Sequence, residues 1–81
     1  MGIENNPFDA YAARVKILSK DGSPKSYSPK SAEGIELHNI FYYAWEMKQR
    51  GSPEEEVQCE AIMETITLKL PGEFQWYSHQ H

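Results

Sequence analysis

A single cysteine, Cys59, stands in a chain of 81 residues, so no internal disulfide can staple the fold. Chains of this size bury a marginal core, and below roughly 80 residues many depend on a disulfide, a metal or a partner chain. No apolar run approaches the roughly 18–20 residues that span a bilayer. The opening Met1-Gly2-Ile3-Glu4-Asn5-Asn6-Pro7 lacks the basic flank and apolar core of a signal peptide. Asn6 stands where N-myristoylation needs Ser or Thr. The five glycines (Gly2, Gly22, Gly34, Gly51, Gly72) are scattered singly, which excludes a phosphate-cradling loop. These absences lead to the expectation of a cytoplasmic protein with no membrane partner, a compartment that suits a lone thiol. The lack of staples leaves a well-packed monomer or a homodimer.

Apolar residues make up 40% of the chain and aromatics 12%, too rich for a disordered segment. The net charge of −4 is unevenly placed. Residues 1–30 hold five bases (Arg14, Lys16, Lys20, Lys25, Lys30) against three acids, whereas residues 31–81 hold three bases against nine acids. Such asymmetry bears on charged partners and not on fold. Solvated faces are the plain alternative.

Residues 1–10 read as a flexible N-terminal arm and 11–81 as a single α+β domain. Tyr11, Ala13, Val15 and Ile17 alternate with Ala12, Arg14, Lys16 and Leu18, the period of a half-buried strand. Asp21-Gly22 follows as a hairpin turn, so the segment reads as an N-terminal β-hairpin with Pro24 on an edge strand. The main helix is expected over about 31–50, capped by Ser31, with Leu37, Ile40, Phe41, Ala44 and Met47 on one stripe. Gly34 is its weak point. Ser52-Pro53-Glu54-Glu55-Glu56 signals a second short helix over about 53–64, with Ser52 as cap and Glu55 completing a capping box. Thr65-Ile66-Thr67-Leu68-Lys69-Leu70 is β-branched and alternating, and Pro71-Gly72 separates it from Glu73-Phe74-Gln75-Trp76-Tyr77-Ser78. That reads as a C-terminal β-hairpin. A rival reading makes residues 57–70 one long strand.

No motif names a reaction. His79 and His81 point to opposite sides of an extended tail and make a poor metal site. Glu54, Glu55 and Glu56 fan out by about 100° each on a helix and cannot converge on one ion. Their position in a first helical turn is explained by the helix dipole. Cys59 has no partner thiol or adjacent base and sits on an apolar face. His38 has no Ser, Cys or Asp at a spacing that would pair with it. The expectation is a protein that is not an enzyme and holds no cofactor or metal.

The aromatics carry more weight. Phe41, Tyr42, Tyr43 and Trp45 crowd one helical turn, more than one buried stripe can take. Surplus amphipathic rings are typical anchors of protein interfaces. The alternative is that a small core uses large residues, packing Trp45 against Trp76. The functional expectation is a small regulatory or inhibitory binding protein that docks on a larger protein, such as a nucleic-acid-binding enzyme. Its interface would join acids (Glu36, Glu46, Glu54, Glu55, Glu56) to exposed rings (Tyr42, Tyr43, Trp45). Size and charge alone suggest the analogy of a phage-encoded anti-defence or host-takeover protein. Two alternatives stand beside it: a structural subunit whose rings form a homo-oligomer interface, and a weak nucleic-acid binder using the basic N-terminal segment. Five spread bases on an acidic chain are thin electrostatics for the latter.

Overall fold

Leu37, Ile40, Phe41 and Ala44 recur at helical spacing, and in a computed structural model they are all buried along one side of a 19-residue helix. The structure describes residues 7–78 as four α-helices: α1 (Pro7–Ser19), α2 (Ala32–Arg50), α3 (Pro53–Lys69) and α4 (Gln75–Ser78). No strand occurs among the described residues, so the expected α+β fold gives way to an all-helical one. Helix α2 starts where its cap predicts. The Ser31 hydroxyl accepts a hydrogen bond from the Gly34 amide at 3.0 Å, satisfying one of the first-turn donors. Two residues, Gly51 and Ser52, then turn the chain directly into α3. There the capping box is complete: the Glu55 amide donates to Ser52 Oγ at 3.3 Å, and the Ser52 amide donates to Glu55 Oε1 at 2.9 Å. Helices α2 and α3 form a tight hairpin that carries most of the core.

Three expectations fail for one physical reason, the period of the buried set. In the first segment Val15 is buried but its strand-mate Ile17 is 52% exposed. The buried set is Phe8, Val15 and Leu18, with Ala12 partly buried, and this is a helical stripe. Pro7 opens the helix, where its missing amide hydrogen is harmless, and three alanines favour it. The N-terminal β-hairpin is thus a helix followed by a loop. Asp21-Gly22 does turn the chain, with Gly22 at φ +92° and the Ser23 amide bonded to the Lys20 carbonyl at 3.0 Å, but no strand returns. Of the arm expected over residues 1–10, Pro7 to Ala10 belong to α1 and residues 1–6 lie outside the described part.

The second short helix does not stop near residue 64. Ile66 and Leu70 are buried four apart while Leu68 is 76% exposed, so Cys59, Met63, Ile66 and Leu70 extend one helical stripe. Thr65 and Thr67, strand formers by propensity, donate their hydroxyls back to the Ala61 and Met63 carbonyls at 3.0 and 2.8 Å. The long-strand alternative for 57–70 falls with the same observation. The C-terminal hairpin is replaced by a turn, with the Glu73 amide bonded to the Leu70 carbonyl at 3.1 Å, and by the short α4. Phe74 and Tyr77, three apart, are buried, and Trp76 faces out.

The loop over residues 20–31 is held by the body of the protein. Tyr27 donates its amide to the Lys69 carbonyl and its hydroxyl to the Leu18 carbonyl, both at 2.8 Å. Each acceptor is one of the last carbonyls of a helix, α3 and α1 respectively, which have no partner within their own helix. Lys69 Nζ donates to Ser23 Oγ at 3.0 Å and to the Pro24 carbonyl. The Ser28 carbonyl accepts from both the Ser31 amide and the Ser31 hydroxyl. A Cβ on Gly34 would lie 2.9 Å from that carbonyl carbon and closer still to its oxygen. Only glycine admits such an approach.

Candidate interaction surface

The rings that crowd α2 divide according to helical phase. Phe41 faces inward and stacks on Phe74, with centroids 3.8 Å apart and planes at 16°. Tyr77 packs edge-on against Phe41 at 5.4 Å. Trp45 is half-buried and meets Trp76 edge-to-face at 5.3 Å, so part of the aromatic surplus is core after all. Tyr43 turns the other way and packs edge-on against Tyr11 of α1 at 4.7 Å. Tyr42 remains 44% exposed, lying beside His38 at 5.1 Å and Phe74 at 5.9 Å.

A continuous outward stripe follows from this phase. Ile35, His38, Tyr42 and Trp45 stand at i, i+3, i+7 and i+10 of α2, beside the core stripe. The turn into α4 then lays Trp76 against Trp45. Ile35 is 51% exposed and Trp76 is 41% exposed. Sequence reasoning missed both as surface residues. Ile35 was legible as the start of a second stripe on α2. Trp76 was not, because its placement depends on a helical turn at 75–78.

The expected acids do not gather in one place. Glu36 pairs with Arg14 of α1, Nε to Oε2 at 2.7 Å, on the Tyr43 side of α2. Both partners are substantially exposed, so the pair contributes little to stability. Glu46 holds Arg50 one turn along at 3.2 Å. Glu55 is committed to the capping box. Glu54 and Glu56 are exposed at the start of α3, at the same end of the hairpin as Glu46. Glu46, Glu54 and Glu56 thus lie toward the hairpin end, Tyr42 and Trp45 lie on the α4 side of α2, and Glu36 and Tyr43 lie on its α1 side.

Beneath the aromatic face, Lys48 Nζ bonds Glu60 Oε2 at 3.1 Å and lies 5.8 Å from the Trp45 ring centre. The hydrogen bond that Lys48 donates to Glu60 raises the Lys48 pKa, so the ammonium is held firmly charged. Tyr77 is buried there and its phenol is pushed above its ordinary value by desolvation. Cys59 is fully buried, and desolvation raises its thiol too, opposite to the shift a nucleophilic thiolate needs. His38 lies against the Tyr42 and Phe74 rings and makes no hydrogen bond to an acid or nucleophile among the described residues.

Among the described residues no group of three or more His, Cys, Asp and Glu could hold a metal ion. His79 and His81 lie outside those residues. An open groove of about 320 Å³ runs between α1 and α3, lined mainly by Phe8, Ala12, Ala61 and Ile62 with Asp9 and Lys16 at its edge. No described helix is long and apolar enough to cross a membrane. A scan against protein-family models finds no match, and searches of curated proteins and of solved structures return none.

Proposed function

We propose that this protein acts by binding, docking on a larger protein through the outer face of α2 and the adjoining α4. The observation that supports the reading is the exposure of Ile35, Tyr42 and Trp76 along one face whose inner edge is fixed by the Phe41–Phe74 stack. Large rings held rigid from behind lose little entropy on binding, which suits them as anchors. Glu46, Glu54 and Glu56 give the hairpin end of this face an acidic rim, which fits a partner whose cleft is apolar at its centre and basic at its edge. Binding without catalysis agrees with the shifts of the titratable groups: the thiol and the phenol are held neutral, and Lys48 is held charged. The setting we infer is the cytoplasm, where a lone buried thiol stays reduced.

The test compares wild-type protein with two variants in nuclease-treated host lysate. Trp76→Ala removes an anchor, and Glu54→Lys with Glu56→Lys reverses the rim while leaving the capping residue Glu55 in place. One dominant protein partner is expected with the wild type. Its affinity should fall roughly thirtyfold with Trp76→Ala, the loss of about 2 kcal/mol typical of an anchor. The charge-reversed variant should weaken binding at low salt and approach wild type at high salt. Equal retention of the partner by both variants sinks the proposal. A shift to dimer in the wild type that Trp76→Ala abolishes would reassign the face to self-association.

A further inference from the structure

The positive charge of this acidic protein is divided between two fates. Arg14, Lys48 and Arg50 each pair with a described carboxylate, and the Lys69 amine is bonded to Ser23 and Pro24. Of the eight Lys and Arg side chains, the remaining four are Lys16, Lys20, Lys25 and Lys30. None of these four pairs with a described carboxylate, and all four are exposed. They lie between the last turn of α1 and the start of α2, where the loop is pinned through Tyr27, Lys69 and Ser28.

Fold stability accounts for only part of this cluster. Lys16 in the last turn of α1 complements that helix's dipole. Lys30 does the reverse. It immediately precedes the Ser31 cap of α2, where the helix dipole is positive and a cation is disfavoured. Lys25 lies in the loop between Pro24 and Tyr27, and no described carboxylate pairs with it. A loop that carries two prolines and is bonded to the ends of α1 and α3 through Tyr27 and Lys69 fixes the backbone on either side of Lys25. It is therefore preorganised to receive a ligand with repeated negative charge.

We infer that this loop is a docking site for the phosphate backbone of a nucleic acid, bound without reading its sequence. The four uncommitted cations are all lysines, compact point charges that hold phosphate, while both arginines, whose forks read guanine edges, are occupied by glutamates. An anionic membrane is the poorer fit. Interfacial segments bury apolar side chains, and no large hydrophobic side chain is exposed between residues 19 and 34. The loop lies at the opposite end of the α2–α3 hairpin from Glu54 and Glu56, so one molecule can hold a protein by one end and a nucleic acid by the other.

The experiment is fluorescence anisotropy of a labelled mixed-sequence single strand of about 20 nucleotides, titrated with the full chain at several salt concentrations. Four lysine contacts predict a slope of log affinity against log salt near −3, at about 0.7 per phosphate neutralised. Affinity should therefore fall about fiftyfold between 50 and 200 mM salt. Each single Lys→Ala change should flatten the slope by about 0.7, and the fourfold alanine variant should abolish binding. The fourfold Lys→Arg variant should retain it, which separates charge from any effect on folding. Trp76→Ala should leave it unchanged, which separates this site from the aromatic face. The inference is overturned by an absence of binding at 50 mM salt, by salt-independent binding, or by wild-type affinity in the alanine variant. Capture by phosphatidylserine vesicles with no affinity for the oligonucleotide overturns it in favour of a membrane.

Discussion

The α2–α3 hairpin and the segments wrapped around it are held by different kinds of information. Within the hairpin, each helix start is written in adjacent residues: Ser31 bonds the Gly34 amide, and Ser52 and Glu55 bond each other. The link between the helices is two residues long and makes no hydrogen bond to a third element among the described residues. The segments around it are fixed by partners far away in sequence. Tyr27 is bonded to Leu18 and Lys69, and α4 is held by Phe74 stacked on Phe41. The hairpin is locally encoded, and its surroundings are tertiary structure imposed on weak local preference.

The largest effect expected from this contrast lies at Phe74. The C-terminal turn is held by Phe74 together with Tyr77 and Trp76, and removing the Phe74 ring should be felt across the core, because Phe74 is fully buried against the central Phe41. Phe74→Ala should destabilise the protein by about 3–5 kcal/mol. That is a large share of the total for a small domain. Urea unfolding followed by circular dichroism measures it. A loss below about 1 kcal/mol would mean that α4 is a loose appendage and that the contrast fails at the C-terminus.

The same division explains what could be read from sequence. The boundaries expected for the main helix, about 31–50, match a helix over Ala32–Arg50 with Ser31 as its cap. The start of α3 was legible for the same reason, since caps and first-turn acids act on neighbouring residues. Residues 11–18 were misread because a short apolar segment fits periods of two and of 3.6 about equally well. Phe8, whose burial breaks the tie in favour of a helix, precedes that segment. Residues 65–70 were misread because Thr and Ile favour strands until the threonine hydroxyls bond back to the helix. Of the expected surface, Tyr42 is an exposed ring of α2, whereas Glu55 and Glu36 are committed to a cap and an ion pair that only the fold reveals.

Gly34 sharpens the comparison, because local and tertiary terms oppose each other there. Local propensity favours alanine within a helix by up to about 1 kcal/mol. The tertiary term runs the other way, since the added Cβ meets the backbone of Ser28 and Pro29, which cannot rotate aside. Overpacking of this kind costs about 1–3 kcal/mol, so Gly34→Ala should be destabilising on balance. At Gly51 an added Cβ would meet Glu55 Oε1 at 2.7 Å and the Glu55 Cβ and Met47 carbonyl oxygen at 2.9 Å, a milder clash than that with the Ser28 carbonyl oxygen. Gly51→Ala should therefore cost less than Gly34→Ala in the same thermal melts. The opposite order would show that the 20–31 loop yields more easily than the hairpin turn.

The smallest effect at neutral pH becomes visible on raising it. Cys59 and Tyr77 are buried, and desolvation holds both in their neutral forms, so their folded pKa values lie above the ordinary 9.0 and 10.0. Above those values the unfolded chain loses protons that the folded chain keeps, and stability must fall with rising pH. Lys48 acts in the same direction. Its hydrogen bond to Glu60 raises it above the ordinary 10.5, so its contribution is present below that value and disappears as pH climbs through the folded one. Unfolding free energy should therefore be level near pH 7–8 and decline from about pH 9 upward. Cys59→Ala should remove the earliest part of the decline and Tyr77→Phe a later part. These three groups belong to α2, α3 and α4, and an alkaline decline left unaltered by both substitutions would show that burial of the thiol and the phenol does not carry it.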